Sequence, residues 1–243
     1  SLDASVVLER DLSLFGQNYV QTLEPRAFYL NIPARKQTTI PNFDSAIADL
    51  NLAQLFAENR YTGSDRINDA NQLTLALTSR LIDPATGNER LRVAVGQQIY
   101  FTDQEVTLYE TPRTNRISDL VATATGRISD AWLLDGAVQY SPDKEQLERL
   151  NLGVRYQPSP GKVLNVSYRY ARELLTAESD VTQIKQIDIS GQWPLTSTIY
   201  ALARWNYSLF DHKLVEGLLG LEYNEGCWTI RLVGQQLATT TAN

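Results

Sequence analysis

Residues 71–82 read Asn71-Gln72-Leu73-Thr74-Leu75-Ala76-Leu77-Thr78-Ser79-Arg80-Leu81-Ile82. Leu73, Leu75, Leu77 and Leu81 share one parity, and Gln72, Thr74, Thr78 and Arg80 share the other. That period of two is the pattern of a β-strand with one wet face. It recurs at 91–101, where Leu91, Val93, Val95, Ile99 and Phe101 oppose Arg92, Ala94, Gly96, Gln98 and Tyr100, with Gln97 as the polar exception on the apolar side. Leu150, Leu152, Val154 and Tyr156 stand against Arg149, Asn151, Gly153 and Arg155, and Leu164, Val166, Tyr168 and Tyr170 against Asn165, Ser167 and Arg169. Ile187, Ile189 and Trp193 oppose Gln186, Asp188, Ser190 and Gln192, and Ala201, Ala203, Trp205 and Tyr207 oppose Arg204 and Asn206.

With weaker cases at 4–10, 19–31, 120–128, 132–141, 214–223 and 227–237, the pattern predicts about 12 strands. Most run longer than the roughly 5 or 6 residues usual in soluble sandwiches, and match the roughly 9 to 11 needed to cross a bilayer at a tilt. Their connections alternate in length. Short, turn-rich joints at 83–89, 129–131, 157–161, 194–197 and 224–226 face longer loops at 32–70, 102–116, 142–148 and about 173–182. Outer-membrane barrels show this asymmetry, with short periplasmic turns and long extracellular loops. Aromatic residues gather near strand ends, among them Tyr100, Phe101, Trp132, Tyr140, Trp193, Tyr200, Tyr207, Tyr223 and Trp228. Interfacial girdles produce that distribution, and cross-strand packing in a soluble sandwich produces it too.

Composition removes several classes. The 243 residues are 43% hydrophobic with a mean hydropathy of -0.28, and no run of about 18 apolar residues exists to form a membrane helix. A net charge of -6 leaves no basic footprint for nucleic acid. The chain opens Ser1-Leu2-Asp3 without a basic and apolar leader and closes on Ala238-Thr239-Thr240-Thr241-Ala242-Asn243; both ends read as cuts in a longer protein.

The polar parity separates the remaining architectures. It carries Arg80, Arg92, Arg127, Arg149, Arg155, Arg169, Arg204 and Arg231 together with Asp135, Asp188, Glu216 and Glu222. A lipid-facing charge costs about 2–4 kcal/mol at the midplane, so in a membrane sheet these side chains face a watery lumen. The expected fold is therefore all-β, a transmembrane antiparallel barrel segment with long extracellular loops. A soluble sandwich would instead pack its apolar faces on each other.

Three stretches resemble the LptD family: Leu23-Glu24-Pro25-Arg26-Ala27, then Asn59-Arg60-Tyr61-Thr62-Gly63-Ser64-Asp65-Arg66-Ile67-Asn68-Asp69-Ala70-Asn71-Gln72, running into Leu77-Thr78-Ser79-Arg80. Val95-Gly96-Gln97, Tyr168-Arg169-Tyr170-Ala171, Glu222-Tyr223 and Cys227-Trp228 extend the likeness through the chain in order. The resemblance implies residues 1–243 as a C-terminal portion of a barrel of about 26 strands, lacking its N-terminal periplasmic domain and last strand. It implies lipopolysaccharide transport and insertion into the outer leaflet of a Gram-negative outer membrane, through a lumen and a lateral gate. Implied partners are lipopolysaccharide, an LptE-like lipoprotein plug, a periplasmic LptA-like bridge reached through the N-terminal domain, and the barrel-assembly machinery during folding. No cofactor, metal or catalytic residue is implied. Cys227 shares parity with Thr229 and Arg231 after the short Asn224-Glu225-Gly226 turn. The family places cysteines here for disulfides to its N-terminal domain, often two in a row, and position 228 is Trp in this chain.

The loop residues Asp65, Arg66, Asn68, Asp69 and Asn71 are further site candidates, and residues 45–59, with Ile47, Leu50, Leu52, Leu55 and Phe56 at roughly helical spacing, predict a loop helix capped by Asp44 or Ser45. Pro25, inside a predicted strand, cannot donate to a ladder and marks an edge, a bulge or a weak pairing. Two rival functions remain from the residues alone. A porin or ligand-specific channel shares the alternation and charged lumen, and a barrel hydrolase would have to build on Asp211-His212, which shows no evident Ser partner.

Overall fold

The computed structural model describes residues 1–14, 16–174 and 182–238. Among them are β1 (Leu2–Ser5), β2 (Leu8–Leu14), β3 (Gln17–Ile32), β4 (Ala70–Ile82), β5 (Glu89–Tyr100), β6 (Leu120–Ser129), β7 (Trp132–Ser141), β8 (Gln146–Ser159), β9 (Lys162–Leu174), β10 (Thr182–Pro194), β11 (Ile199–Ser208), β12 (Lys213–Asn224) and β13 (Thr229–Leu237). Neighbours in the sheet follow chain order, except that β1 and β2 both lie against β3. The ladders are antiparallel throughout the pairs Leu2↔Tyr29, Leu8↔Leu23, Leu30↔Gln72, Leu73↔Ile99, Leu152↔Tyr168, Ile189↔Val166, Trp205↔Ile189 and Leu221↔Leu232.

The expected strand at 4–10 is split in two, and its register explains why. Leu2↔Tyr29 and Leu8↔Leu23 belong to one uninterrupted alignment, so no residue is inserted. The gap at Val6–Val7 stands opposite Glu24 and Pro25. Val6 donates its backbone N–H to the Pro25 carbonyl at 3.2 Å, but proline has no N–H for the return bond, and the ladder lapses there.

Two compact units divide the chain: 1–124 with 138–147, and 125–137 with 148–243. In the first, Phe28 and Leu30 of β3 and Ala70 of β4 are buried, with Ile32 of β3 and Phe56 of the 33–69 segment packed against them. All of this core lies on the polar parity of the sheet, beneath the 33–69 segment. In the second, Ala171 is the buried hydrophobic among the described residues. The other parity is bare in each unit: Leu75, Leu77 and Val93 in the first, and Leu152, Leu164, Trp193, Trp205, Leu219 and Leu221 in the second, are each 41–72% exposed. Among the described residues no second layer covers these side chains, which is not the arrangement of a sandwich. A contiguous apolar face of this kind is unfavourable in water and belongs against hydrocarbon. Its polar exception is satisfied locally, since Gln97 Nε2 donates to the Ser118 carbonyl at 2.9 Å.

Two loop expectations change. Residues 45–59 do not form a helix; a 3-10 turn, Gln54–Phe56, stands in its place. Polar side chains divert the backbone: the Asn42 amide donates to the Ser45 carbonyl and accepts the Ser45 N–H, Asn51 Oδ1 accepts the N–H groups of Ala53 and Gln54 at 2.9 and 3.0 Å, and Ile47 bridges to Tyr61. Such bonds offer the chain an alternative to the helical ladder. The loop expected at 142–148 shrinks to 142–145, because β8 begins at Gln146 and Glu145 takes a φ of 51° in the turn. The long-loop asymmetry is thus carried by 33–69 and 101–119. The loop expected at about 173–182 lies mostly outside the described residues. Among the described residues no helix is long and apolar enough to cross a membrane, a criterion that says nothing of strands.

Candidate functional site

Chemistry concentrates on the polar parity, where antiparallel pairing brings charges from adjacent strands side by side. In the second unit Arg204 stands between Asp188 on β10 and Glu216 on β12. Its Nε lies 2.8 Å from Asp188 Oδ2 and its Nη1 2.9 Å from Glu216 Oε2. Gln235 on β13 adds a bond to the other Glu216 oxygen at 2.9 Å, so a polar ladder crosses four strands. Arg231 pairs with the buried Glu222, its register partner. Arg155 Nε donates to Asn165 Oδ1 at 3.0 Å. Arg169 lies in register with Asn151 and Gln186, and Arg149 with Ala171. Gly153 leaves room for a neighbouring carboxylate: a Cβ there would meet Asp135 Oδ1 at 2.5 Å. Arg127 is exposed near the end of β6.

In the first unit Arg80 and Arg92 are direct register partners. Like charges so placed repel, and Glu89 stands between them, 3.8 Å from Arg80 Nε and 3.1 Å from Arg92 Nε, while Glu24 takes Arg80 Nη2 at 3.0 Å.

The same face holds the 33–69 loop. Leu55 is fully buried, and its carbonyl accepts from Thr74 Oγ1 at 2.7 Å and Gln98 Nε2 at 2.8 Å. The loop candidates bind the loop to itself and to its neighbour. Asp65 accepts the N–H groups of Phe43 and Asp44 at 2.6 and 2.9 Å, and these donors hold its carboxyl below the usual carboxylate range. The buried Arg66 guanidinium donates to the carbonyls of Gln37 and Ile40. Asn68 Oδ1 accepts from Arg60 N–H at 2.8 Å, Asp69 accepts from Glu105 and Val106 N–H at 2.9 Å each, and Asn71 Oδ1 accepts from the Tyr29 hydroxyl at 3.0 Å.

Sequence reading missed a hub between the two long loops. The Tyr61 hydroxyl has both the Val106 carbonyl, at 2.8 Å, and Glu110 Oε1, at 2.9 Å, within reach of its single proton, and Arg60 Nη1 donates to Gln104 Oε1 at 2.7 Å. Burial, with the Glu110 carboxylate beside it, pushes the Tyr61 phenol well up. Burial works against the Glu110 charge, but donors from the Leu108 and Glu110 backbone and from Tyr61 outweigh it and hold its carboxyl low. The partners are 45 and 49 residues apart, which is why no local motif announces them.

Cys227 is an exposed free thiol in the connection before β13, two residues ahead of Thr229, where the strand expected over 227–237 in fact begins. At the other end of β11, Ser208 Oγ donates to Asp211 Oδ2 at 2.8 Å and accepts Asp211 N–H at 3.1 Å, a closed turn motif that His212 continues at a φ of 53°. The serine is spent on the aspartate, leaving this turn without the serine-to-histidine bond a hydrolase nucleophile needs. Among the described residues no group of His, Cys, Asp and Glu is arranged to hold a metal.

Aromatic pairs mark both rims of the apolar face. Near the short turns of the second unit, Trp132 lies 4.5 Å from Tyr156 and Tyr223 5.1 Å from Trp228; toward the loops, Trp205 stacks on Tyr207 at 5.3 Å. From Ile199, opposite Tyr223, to Tyr207 is ~26 Å at the rise of a strand, comparable with the apolar band of outer-membrane barrels, about 25 Å tall.

Long antiparallel strands with one bare apolar face, a charged opposite face and aromatic rims define a segment of a transmembrane β-barrel. The family described as LptD, LPS transport system D, matches residues 1–205. Proteins named LPS-assembly protein LptD are similar over nearly the whole chain: that of Azoarcus sp. (strain BH72) is 48% identical over 239 residues, 98% of this chain and 29% of the relative. That of Nitrosomonas eutropha is 48% identical over 241 residues, 99% and 32%, and that of Nitrosomonas europaea 46% over 241 residues, again 99% and 32%. The chain belongs to the LptD family. It spans about three tenths of the length of these relatives. Among solved structures, the FpvAI-pyocin S2 complex covers 91% of this chain and 34% of its own, at 12% identity and a TM-score of 0.33, too distant to bear on the fold.

Proposed function

We propose that this chain forms the C-terminal portion of the barrel of an outer-membrane translocon, which passes lipopolysaccharide through a hydrated lumen and releases it sideways into the outer leaflet. The observation that carries this reading is the near-complete similarity to proteins named for lipopolysaccharide assembly. The chemistry is consistent with it. Lipopolysaccharide carries anionic phosphates and sugars on an acylated base, and Arg80, Arg92, Arg127, Arg149, Arg155, Arg169, Arg204 and Arg231 all lie on the polar parity of the sheet. Fixed arginines in a hydrated lumen suit phosphate and carboxylate groups. Transport needs no bond made or broken, so the protein is not an enzyme on this reading.

The remaining partners follow as part of the same proposal. An LptE-like lipoprotein fills the lumen, an LptA-like periplasmic bridge delivers substrate through an N-terminal domain, the barrel-assembly machinery inserts the strands, and Cys227 forms a disulfide to that N-terminal domain in the oxidising periplasm. Asp65, Arg66, Asn68, Asp69 and Asn71 shape the extracellular mouth by holding the 33–69 loop.

Photo-crosslinking from positions 169 and 204 in the full-length protein tests the reading. Adducts to both lipopolysaccharide and a lipoprotein are expected. Adducts to neither, with small solutes passing freely across bilayers, would overturn it in favour of a porin.

A further inference from the structure

The apolar face of the second unit is not uniform. A groove of about 820 Å³ crosses β9 to β13, with Leu164, Ile189, Trp193, Trp205 and Leu219 as walls. Its floor is made of the small residues Gly191, Ala203 and Gly234: Gly191 pairs with Ala203, and Gly234 pairs with the wall residue Leu219. The glycines differ in what they require. A Cβ at Gly191 would meet the Val163 carbonyl at 3.0 Å, a contact tight enough that the neighbouring strand would have to give by a few tenths of an ångström to accept it. At Gly234 a Cβ would meet only the Leu219 carbonyl, at 3.9 Å, and its φ lies outside the left-handed range. Neither packing nor backbone geometry asks for glycine at 234; its effect is to keep the groove open.

One end of the groove is charged. Trp193, at the short-turn end, carries the Lys162 ammonium 5.6 Å from its ring centroid. On the same short-turn side, Glu225 is engaged by the Tyr223 hydroxyl. An indole wall topped by an ammonium, above an apolar trough, is complementary to an amphiphile with an anionic head and a hydrocarbon tail. Tryptophan and lysine at a membrane rim supply the headgroup-level anchor and the attraction for anionic lipid. The volume is within the range of small-molecule sites, about 300–1,000 Å³.

We infer that this groove is a binding site for one anionic glycerophospholipid of the surrounding membrane, its acyl chain lying over Gly191, Ala203 and Gly234 and its phosphate meeting Lys162. The inference rests on the reading of this face as lipid-exposed. It assigns the protein a structural lipid bound outside the barrel, separate from any substrate path on the polar face.

The test uses the full-length protein in vesicles of phosphatidylcholine doped with phosphatidylglycerol, extracted in mild detergent and weighed by native mass spectrometry. A single retained phosphatidylglycerol is expected on the parent. Lys162→Gln and Gly234→Leu are each expected to reduce retention several-fold, the first by removing the charge and the second by filling the trough without a clash. Ile128→Val, exposed elsewhere on the sheet, should leave it unchanged. Heat-dependent gel mobility, measured on the same samples, reports insertion and folding separately. Equal retention by both variants, or retention indifferent to headgroup, would overturn the inference; so would a photo-crosslinker at position 203 that captures a polypeptide instead of lipid. A protein that does not enter the bilayer at all would overturn the membrane reading beneath it.

Discussion

Gly96 faces Leu55 so closely that a Cβ at 96 would lie 2.8 Å from Leu55 Cδ1 and 3.3 Å from both Leu52 Cδ1 and Ala76 Cβ. The 33–69 loop therefore seats its 3-10 turn in a socket that the strand vacates by having no side chain at that position. Gly96→Val fills the socket. Over-packing of this kind costs about 1–3 kcal/mol, and it should fall on the loop, because the ladder bonds of β4 and β5 do not depend on residue 96 having a side chain. Limited proteolysis is expected to cut within 33–69 far faster in the variant, while circular dichroism of the strands is unchanged.

The Asp188–Arg204–Glu216 ladder predicts an asymmetry between losing and reversing a charge. The three side chains are partly open to solvent, with the Arg204 side chain 43% exposed, and exposed pairs contribute only about 0.2–1 kcal/mol each. Arg204→Gln should accordingly lower the thermal unfolding temperature slightly. Arg204→Glu places three carboxylates across adjacent strands and should lower it much more. Adding Asp188→Arg to that variant should recover most of the loss, a double-mutant coupling that a purely steric effect would not show.

Strands are legible because one parity meets hydrocarbon and the other water, and that selection shows at Leu73, Leu75, Leu77 and Leu81, with Ser79 the exception. Pro25 could be read too, since a missing N–H has a local consequence, and the split opposite Val6 follows from it. The 45–59 helix was misread because Ile47, Leu52 and Leu55 have helical spacing for another reason: they meet Tyr61 and the Gly96 socket, and Asn42, Ser45 and Asn51 hold the chain out of a helix. The Tyr61, Gln104 and Glu110 hub joins residues far apart in the chain, and no pattern within either loop encodes a partner in the other. Among the loop residues singled out from sequence, Asp65, Arg66, Asn68 and Asp69 turned out to spend their polar atoms on loop backbone.

Asp65 gives the loop a pH dependence whose direction is fixed. Its carboxyl is held below the ordinary value by the N–H groups of Phe43 and Asp44. A carboxylate with a depressed folded-state pKa contributes stability that is fully present above its unfolded pKa, about 3.9, and is lost as pH falls through the folded value. Hydrogen-exchange protection at Phe43 and Asp44 should therefore hold at neutral pH and fall below about pH 4. Asp65→Asn should show low protection at both, with no acid step. An acid step that survives the substitution would assign it to another group.

Tyr61→Phe removes one hydroxyl from the hub and leaves the Val106 carbonyl and Glu110 Oε1 without that donor. Gln104 Nε2 still donates to the Val106 carbonyl at 2.7 Å and to Glu110 Oε1 at 3.3 Å, so the loss is that of one hydrogen bond, about 0.5–1.5 kcal/mol, and it should appear as parting of the two loops. Cleavage within 101–119 as well as within 33–69 is expected to accelerate together. Acceleration in one loop alone would show that Tyr61 does not join them.

Pro25 sets the last prediction. Val6 and Pro25 oppose each other at a position where two bonds would ordinarily be exchanged, and only Val6 N–H to Pro25 carbonyl is made. Pro25→Val supplies the missing donor, and β-branched residues suit the extended backbone of β3. The added bond is worth about 0.5–1.5 kcal/mol, so β1 and β2 should merge into one continuous ladder and exchange of the Val6 and Val7 amides should slow. The functional consequence depends on whether the lapse is used. If the sheet must yield at this point during lipopolysaccharide release, the stabilised variant will transport more slowly, which an assay of lipopolysaccharide surface exposure would report. Unchanged transport alongside slowed exchange would make the lapse a tolerated defect of the ladder with no part in release.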